Sequence, residues 1–349
     1  MGLREYIIRR LILLIPIMLG VVVLIFAIMQ FVDPMTRVTL YLRNVRQYVP
    51  SVLDRYIHLY GLDQPIYVQF YNWLIGLLQG NFGYSAYYKE MVLEGLLARV
   101  PATLEIVLYS APAIILLGIW LGVESAVRKD KAADQATRIF SILGTSLPSF
   151  FFGVVLAALF IAQLRWVSFG RLNPRLAYQI ASMQTSGAWH TYTGLFTIDS
   201  LLNFRPDVCL DALEHLVLPC LVLLFIQTAV LVRVTRSSML EALGKTYITA
   251  ARAKGLTKNE VIYHHARRNA LIPVVTISGL LVGGMMTGLI ITESVFLFPG
   301  IGQWAAQASQ VFDISVVIVY AMFSALVFVL ANLIVDVLYA YIDPRIRLG

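Results

Sequence analysis

Apolar residues occur in this chain in six runs of about 20 residues, each long enough to cross a bilayer as a helix. Stretches that hold most of the charged and turn-forming residues separate these runs. The runs cover approximately residues 11–32, 102–123, 139–164, 216–232, 272–297 and 314–338. Because a backbone in lipid must satisfy its own hydrogen bonds, runs of this length predict helices. The pattern therefore predicts an all-α integral membrane protein with six transmembrane helices.

Composition supports this class. Of the 349 residues, 59% are apolar and 13% are charged, and the mean hydropathy is +0.76. Such a balance argues against a soluble globular domain. The two cysteines, Cys209 and Cys220, are too few for a disulfide framework or a four-ligand zinc site, so we expect both to be small hydrophobic residues of the interior.

Lysine and arginine are unevenly distributed between the two sets of connections. If the N-terminus lies in the cytoplasm, most of the 27 basic residues fall in the shorter, cytoplasmic segments. This arrangement obeys the positive-inside rule, and it explains the basic balance without a nucleic-acid partner. We therefore expect a multi-pass protein of the plasma membrane, in contact with membrane lipid, with both termini in the cytoplasm.

Two connections on the external side are long. In residues 33–100, Asp63 is placed to cap a helix with Pro65 in its first turn. Apolar side chains follow at helical spacing, at Ile66, Phe70, Trp73, Leu74, Leu77 and Leu78. This predicts an amphipathic helix that is either a shelf for a substrate receptor or a lid over the bundle. For residues 165–213, three alternatives stay open: they shape an outer vestibule, contact the receptor or form a cap.

The expected organisation has three parts. Residues 1–32 are an N-terminal tail and first transmembrane helix, and residues 33–100 are an external segment with the amphipathic helix. Residues 101–349 are a five-helix core, which includes a polar cytoplasmic run at residues 233–273.

The run 233–273 is the longest polar stretch on the predicted cytoplasmic side. It predicts two short helices: the first ends at Gly255, and a capping box formed by Thr257 and Glu260 starts the second. Residues 249–255 between them read T-A-A-R-A-K-G. Small side chains there allow another protein to approach closely, and two basic side chains supply charge at the rim. The run has the properties of a docking knob.

This run resembles the EAA loop of the membrane subunits of ABC importers, in particular the dipeptide, oligopeptide and nickel branch. That branch carries Y-I-x-x-A-R-A-K-G-L followed by R-N-A-L-x-P. The matching residues are Tyr247, Ile248, Ala251, Arg252, Ala253, Lys254, Gly255, Leu256, Arg268, Asn269, Ala270, Leu271 and Pro273. Thr249 stands where glutamate is usual in the general pattern, and Arg268 replaces a proline near its end. Both departures fit the peptide branch better than the sugar branch.

Four further motifs extend the resemblance over nearly the whole chain. They are G-N-F-G-Y-S at residues 80–85, V-P-A-T-L-E at 100–105, T-E-S-V-F-L-F-P-G-I-G at 292–302 and D-P-R-I-R at 343–347. The third is specific to the branch, and the others support it.

The resemblance implies a type I ABC importer permease fold with a cytoplasmic coupling helix and large external segments. It implies that the chain forms half of a pathway for di- or oligopeptides; oligosaccharides and nickel are alternative cargoes. The implied partners are a second homologous permease subunit, two cytoplasmic ATPase subunits and an extracytoplasmic substrate-binding protein. ATP and magnesium belong to the ATPase subunits. This chain has no G-x-x-x-x-G-K-[ST] motif, so we expect no nucleotide site, cofactor or enzymatic activity of its own.

By the same resemblance, one set of residues is expected to couple the spans to the ATPase subunits: Tyr247, Thr249, Ala250, Ala251, Arg252, Ala253, Lys254, Gly255 and Leu256. A rigid displacement of the ATPase pair would reach the spans through them. We expect bulky replacement of Ala251 or Gly255 to leave folding intact and to abolish coupled transport.

Six polar residues in or near the spans are candidates for the translocation pathway: Ser146, Ser149, Gln227, Thr228, Thr287 and Glu293. Uncharged polar side chains in lipid bond either to a neighbouring helix or to a water-filled path, and both alternatives stay open. Pro148 predicts a kink beside the two serines. Glu293 is either a gate or substrate contact, or an interfacial hydrogen-bonding group. Glu105 is predicted to complement the helix dipole in the first turn of the second span.

Glycines at four-residue spacing predict close helix packing. Gly118 and Gly122 form one such pair in the second span, and the fifth span carries two more, at positions 279/283 and 284/288.

Other function classes lack their signatures. The chain has no His-Glu-x-x-His motif for a metalloprotease, and the last two spans hold no histidine for a rhomboid-like protease. His190 and His215 are expected to be satisfied polar residues and the pair His264-His265 to lie on the surface, so no metal site is predicted. A secondary transporter needs ionisable residues at mid-membrane, which are almost absent here, and a channel would need neither ATPase partners nor the knob.

Overall fold

The computed structural model describes residues 3–38 and 50–342, and the chain over these ranges is almost entirely helical, which confirms the all-α prediction. The elements are α1 (Leu3–Met29), α2 (Pro34–Val38), α3 (Pro50–Leu59), α4 (Ile66–Leu78), β1 (Tyr84–Ser85), β2 (Glu90–Met91), α5 (Val92–Val127), α6 (Ala132–Ser146), α7 (Ser149–Leu156), α8 (Pro174–Thr185), α9 (Phe196–Leu202), α10 (Pro206–Leu243), α11 (Thr246–Ala253), α12 (Lys258–Glu260), α13 (Arg267–Met286), α14 (Ile290–Val295), α15 (Ile301–Gln310) and α16 (Ile314–Ile342). A π-helical segment, Ala157–Gln163, extends α7, and a second, Val261–Ala266, joins α12 to α13. The short strands β1 and β2 pair antiparallel. The motif at residues 343–347 lies outside the described residues.

Five helices of the described chain are long and apolar enough to cross a membrane. They are Ile8–Met29, Val92–Val127, Pro206–Leu243, Lys258–Met286 and Ile314–Val335. The consecutive helices α6 and α7 qualify together as a further span, although they meet at an angle of 97°. The prediction of six spans is confirmed if this bent pair counts as one.

The second span begins earlier than its apolar run indicates. α5 starts at Val92 and carries Pro101 inside it. Val92 and Leu96 are buried against α15 and α16, and this packing extends the helix beyond the apolar run. The predicted role of Glu105 in a first helical turn is therefore wrong, because Glu105 lies well inside α5.

The third and fifth spans are interrupted where the sequence analysis predicted continuous helices. Leu147 is extended and Pro148 is the N-cap of α7, so the third span is broken rather than kinked. The fifth span ends at Met286, and Gly288 turns the chain at φ +114°. A Cβ on Gly288 would lie 2.9 Å from the Gly302 backbone, so both the dihedral and the close approach require glycine.

The centre of the bundle is the seam between α5 and α10, and two glycines set its width. A Cβ on Gly118 would lie 2.7 Å from the Leu231 side chain, and one on Gly122 would collide with Thr235. The predicted small-residue packing is confirmed at this seam. α10 also contacts α6, α9 and α13, which makes it the central helix of the described fold.

α13 and α16 approach each other through another glycine. A Cβ on Gly283 would lie 2.6 Å from the Cβ of Ala331. For the second predicted pair, no described residue lies within 4 Å of a Cβ built on Gly284, so close packing against another subunit stays a prediction there, and Gly288 serves the turn after α13.

On the side of the bundle predicted to be external, α4 packs on α1. The ring centroid of Phe26 in α1 lies 5.1 Å from that of Phe70 and 5.5 Å from that of Trp73, which confirms the predicted helix and the middle of its inward face. The two ends of that face are not inward, because Ile66 and Leu78 are exposed. The predicted cap is wrong, because the first helical residue follows Pro65 and no side chain caps it. Asp63 instead contacts Nδ1 of His58 at 2.6 Å.

Residues 165–213, which we call the outer cap, contain α8 and α9 and are fixed to α5 by a buried ion pair. The Arg171 guanidinium donates a hydrogen bond to the Glu105 carboxylate at 2.7 Å and lies 4.2 Å from the Phe196 ring centroid. The backbone N–H and the hydroxyl of Thr197 both donate to Oε1 of Glu105 at 2.8 Å. Of the alternatives for this segment, the geometry supports a cap on the bundle.

Cys209, Cys220 and His215 have structural roles in the interior of the bundle. Cys209 and Cys220 are free and buried, as predicted. His215 is buried, with Nε2 2.9 Å from the Ser168 hydroxyl and Nδ1 2.7 Å from the Asp211 carbonyl, which confirms a satisfied polar side chain.

Candidate coupling site

The coupling segment, residues 245–256, follows directly on the central helix. α10 is 38 residues long and extends beyond its apolar stretch to Leu243. Gly244 ends α10, Lys245 is extended, and α11 begins at Thr246. The first predicted helix of the polar run is therefore two elements, the end of α10 and the separate helix α11. This turn places α11 at the end of the longest helix of the described fold.

One face of α11 holds it against the bundle. Ile248 and Ala251, one helical turn apart, are 1% and 7% exposed. They belong to an apolar cluster with Val123, Ala126, Met239, Ala242, Val261, Ile262, Ala266 and Ala270. The cluster joins α11 to α5, α10 and α13, so a displacement of α11 acts on three spans at once.

The other face of α11 is exposed. Its side chains are Tyr247, Thr249, Ala250, Arg252, Ala253 and Lys254. Three of them are small, so a partner's surface can approach the helix backbone closely. At the N-terminal end, Nζ of Lys245 donates to the Glu241 carboxylate at 2.8 Å, and this contact raises the pKa of Lys245. The amine is therefore positively charged throughout the physiological pH range.

Gly255 ends α11 through its backbone conformation. Its φ is +85°, in the left-handed region, and its N–H donates to the Arg252 carbonyl at 2.9 Å. Over the described part of the chain, no atom lies within 4 Å of a Cβ built on Gly255, so among these residues only the dihedral constrains this position. Beside the turn lies a cavity of about 410 Å³, lined by Val127, Leu243, Arg252, Leu256, Lys258, Val261 and Ile262.

Two predictions about this run are corrected by the structure. Ala251 faces the chain's own core, so a bulky replacement there would disturb packing, and the expectation that folding stays intact is wrong for this residue. The capping box of Thr257 and Glu260 is confirmed, but the helix that it starts is not separate. α12 continues through the π-helical segment into α13. The contact of the exposed face with ATPase subunits stays a prediction.

An ion pair that the sequence analysis missed braces α10 against α6. The buried Asp134 carboxylate accepts hydrogen bonds from Nε and Nη2 of Arg236 at 2.6 and 3.0 Å. It also accepts from the Ser125 hydroxyl at 2.6 Å and from the Asp130 N–H at 3.0 Å. The sequence signal is only an acidic residue in the first turn of a helix, which does not reveal a partner far along the chain.

The uncharged pathway candidates lie at three places in the fold. Ser146 and Ser149 flank the break between α6 and α7. Gln227 is half-buried in α10, and Thr228 beside it is buried with no hydrogen-bond partner for Oγ1 among the described residues. Thr228 lines a cavity of about 370 Å³ with apolar residues of α5, α6, α7 and α10. Thr287 is the C-cap of α13, where its hydroxyl donates to the Gly284 carbonyl at 2.7 Å.

Glu293 is fully buried. Its Oε1 accepts a hydrogen bond from the Thr103 hydroxyl at 2.6 Å, and its Oε2 accepts one from the Gln303 N–H at 2.8 Å. The carboxylate also leaves no space for a side chain at Gly300. Of the two alternatives for Glu293, the geometry fits the hydrogen-bonding group, because the carboxylate faces no accessible surface and fastens the turn after α14 to α5.

The sequence of this chain is similar to those of known transport proteins. Residues 114–348 match the pattern of the family described as binding-protein-dependent transport system inner membrane component, and residues 3–107 match that of its N-terminal part. The chain is 39% identical over 346 residues to the di/tripeptide transport system permease protein DppB of Pseudomonas aeruginosa, covering 98% of each. It is 36% identical over 345 residues to the oligopeptide transport system permease protein AppB of Bacillus subtilis, covering 98% of this chain and 99% of AppB. The probable D,D-dipeptide transport system permease protein DdpB of Escherichia coli is 39% identical over 290 residues, 83% of this chain and 82% of DdpB.

These matches cover nearly the whole described fold, including the coupling segment and the outer cap. They agree with the multi-pass helical architecture. The chain is therefore a membrane permease component and belongs to the family of binding-protein-dependent transport system inner membrane components.

Proposed function

We propose that this chain is the membrane-spanning permease subunit of an ATP-driven ABC importer of di- or oligopeptides. It lies in the plasma membrane with both termini in the cytoplasm and forms half of the pathway, beside a second homologous permease subunit. Two cytoplasmic ATPase subunits hold ATP and magnesium, and an extracytoplasmic binding protein delivers the cargo. The cargo class rests on the relatives, which are permeases of di/tripeptide and oligopeptide systems.

The two-faced geometry of α11 carries the proposal. Its buried face is locked into a cluster shared by three spans, while its exposed face offers small side chains to a partner. A helix mounted in this way transmits a push from outside the membrane as a rigid displacement, because close-packed interiors deform little. In this proposal Thr249, Ala250 and Ala253 contact the ATPase subunit, and Arg252 and Lys254 supply charge at its rim.

The pathway lies between this chain and the second permease subunit. Ser146 and Ser149 at the break of the third span, Gln227 and Thr228 in α10 and Thr287 after α13 are the polar groups proposed to face it. The hydroxyl of Thr228, which has no hydrogen-bond partner among the described residues, supports this assignment, because hydroxyls in lipid seek a partner.

The test is a tryptophan substitution on the exposed face, Ala250→Trp, with Asn259→Trp as matched control. Both side chains are exposed on the same side of the bundle, so each substitution is expected to change stability by no more than about 0.5 kcal/mol. The complex with its ATPase subunits is reconstituted in liposomes with peptide-loaded binding protein. Ala250→Trp should lose peptide uptake and release the ATPase subunits in a pull-down, whereas Asn259→Trp should behave as wild type.

Normal uptake by well-expressed Ala250→Trp would overturn the coupling role of α11. The same liposome assay decides the cargo, because a binding protein that delivers an oligosaccharide or nickel instead of peptide would replace the peptide assignment and leave the coupling role intact.

A further inference from the structure

A polar cavity lies at the outer end of α1. After Arg9 and Arg10, the stretch from Leu11 to Met29 has 19 residues, and its length of about 28 Å matches a hydrocarbon core of about 30 Å. Gln30, the next residue, therefore lies at the depth of the lipid headgroups on the external side. Here α1, α2 and α4 enclose a cavity of about 180 Å³. Its lining combines apolar residues with the side chains of Gln30, Arg37, Gln69, Asn72 and Asn81.

Arg37 is the only charged side chain among the described residues that line this cavity, and it is 7% exposed. Its Nη1 donates to Oε1 of Gln30 at 2.7 Å and to Oε1 of Gln69 at 2.9 Å. Gln69 is oriented by its own amide, which donates to the carbonyls of Leu62 and Gln64 at 2.9 and 2.7 Å. The guanidinium is thus held in one position beside the cavity.

Two buried hydrogen-bond donors beside this cavity have no acceptor among the described residues. Nε of Arg37 and Nε2 of Gln30 are buried without a hydrogen-bond partner among the residues that the structure describes, and both atoms are donors. Both acceptors of Arg37 within the described chain are neutral amides, so no described carboxylate balances its charge. A buried cation with unpaired donors is stable only when an acceptor, preferably an anion, completes its surroundings. The chemistry of the cavity therefore calls for an anionic group.

We propose that this cavity binds the phosphate of a phospholipid headgroup in the outer leaflet. The depth of the cavity in the membrane favours a lipid as the source of the anionic group, because Gln30 and Arg37 lie at the level of the phospholipid phosphates. The surface below also favours it: Leu19 and Val23, eleven and seven residues before Gln30 and on the same side of α1, are exposed and provide an apolar path for acyl chains. Guanidinium groups bind phosphate through paired, charge-assisted hydrogen bonds, which matches the free donors of Arg37. The lipid ties the external end of α1 to α4, and this role is independent of the proposed cargo.

The experiment measures lipid retained by the full-length chain. The protein is equilibrated in dodecylmaltoside micelles that contain phosphatidylglycerol, washed, and analysed by native mass spectrometry. Arg37→Gln removes the charge and should weaken retention by about tenfold or more, as expected for loss of a charge-assisted hydrogen bond. Arg175→Gln, at an exposed arginine of α8, is the matched control and should retain lipid as wild type does.

A second variant blocks the cavity without touching Arg37. Gly76 lines the cavity, and none of the residues that the structure describes lies within 4 Å of a Cβ built there. Gly76→Leu should therefore fold, gain helix propensity in α4 and lose the bound lipid. It keeps the test decisive if Arg37→Gln aggregates.

Two results would overturn the proposal. One is equal phosphatidylglycerol retention by wild type and Gly76→Leu, or by wild type and a folded Arg37→Gln. The other comes from thermal unfolding in lipid-free detergent. Inorganic phosphate at millimolar concentration would raise the unfolding midpoint of wild type but not that of Arg37→Gln, and added phosphatidylglycerol would raise neither midpoint. The site would then bind a free anion instead of a lipid.

Discussion

The ion pair between α5 and the outer cap allows a direct test of how the outer cap is held on the bundle. Glu105 is 1% exposed, and its carboxylate accepts hydrogen bonds from Arg171 and from two groups of Thr197. Glu105→Ala removes all three acceptor contacts. It leaves the Arg171 guanidinium, whose side chain is 11% exposed, beside α5 without its carboxylate partner.

The expected magnitude follows from burial. Removing one partner of a buried ion pair costs about 3–5 kcal/mol, because the other charge stays desolvated. The loss acts on the contact between the outer cap and α5, so it lowers the free energy of local opening rather than that of the whole fold. At 1.4 kcal/mol per factor of ten, the opened population rises by about two to three and a half orders of magnitude.

The two native thiols report on this opening without introduced labels. Cys209 is buried between α9 and α10, where its thiol lies 3.4 Å from the Thr197 carbonyl, and Cys220 is buried in the core beside Ile106. In a Cys220→Ser background, maleimide labelling of Cys209 should accelerate strongly on Glu105→Ala. In a Cys209→Ser background, labelling of Cys220 should change much less.

The control is Arg175→Ala, which removes an exposed arginine of the same cap and should leave both labelling rates unchanged. A Glu105→Ala variant that labels Cys209 at the wild-type rate would refute the claim that the ion pair holds the cap. Equal acceleration at both thiols would show global unfolding and refute its local character. Removing Arg171 together with Glu105 should be milder than removing Glu105 alone, since no buried charge is left behind.

Substitutions at three further positions are tested by thermal unfolding of the detergent-solubilised chain. Gly122→Leu should destabilise by about 1–3 kcal/mol, because its side chain would overlap Thr235 across the central seam. Phe204, after α9, is 90% exposed and has φ +56°, in the left-handed region. Phe204→Gly should therefore be at least as stable as wild type, whereas Phe204→Val should lower the stability by about 1 kcal/mol or more. Asp134→Ala should cost about 3 kcal/mol by leaving Arg236 unpaired, and an unchanged midpoint would show that the brace is unimportant.

The sequence predicted those parts of the fold that depend on local pattern. Apolar runs located the spans, and the box of Thr257 and Glu260 was recognised because both partners lie within one helical turn. Gly118 and Gly122 were recognised by their spacing, which places small residues on one helix face. These signals need no knowledge of the tertiary structure.

What the sequence did not predict depends on partners far apart in the chain. Glu105 resembled a dipole-complementing group because the start of α5 depends on Val92 and Leu96 packing against α15 and α16. Ala251 looked like part of an exposed knob because a run of small residues does not show which of them faces the core. The acceptor role of Asp134 depends on Arg236, which lies on another helix.

The proposed coupling has a physical requirement that the central helix meets. α10 is 38 residues long, about 57 Å, and one helix joins the coupling segment at one end to the outer cap at the other. Near the coupling segment, the Asp134–Arg236 pair binds it to α6, and along its length the seam at Gly118 and Gly122 binds it to α5. Because these three helices are locked together, a push on α11 cannot be absorbed between them. The strain must appear where no ion pair or glycine seam locks the chain, and the break between α6 and α7, where the chain turns by 97°, is such a place. We therefore expect conformational change during transport to concentrate at that break, beside Ser146 and Ser149.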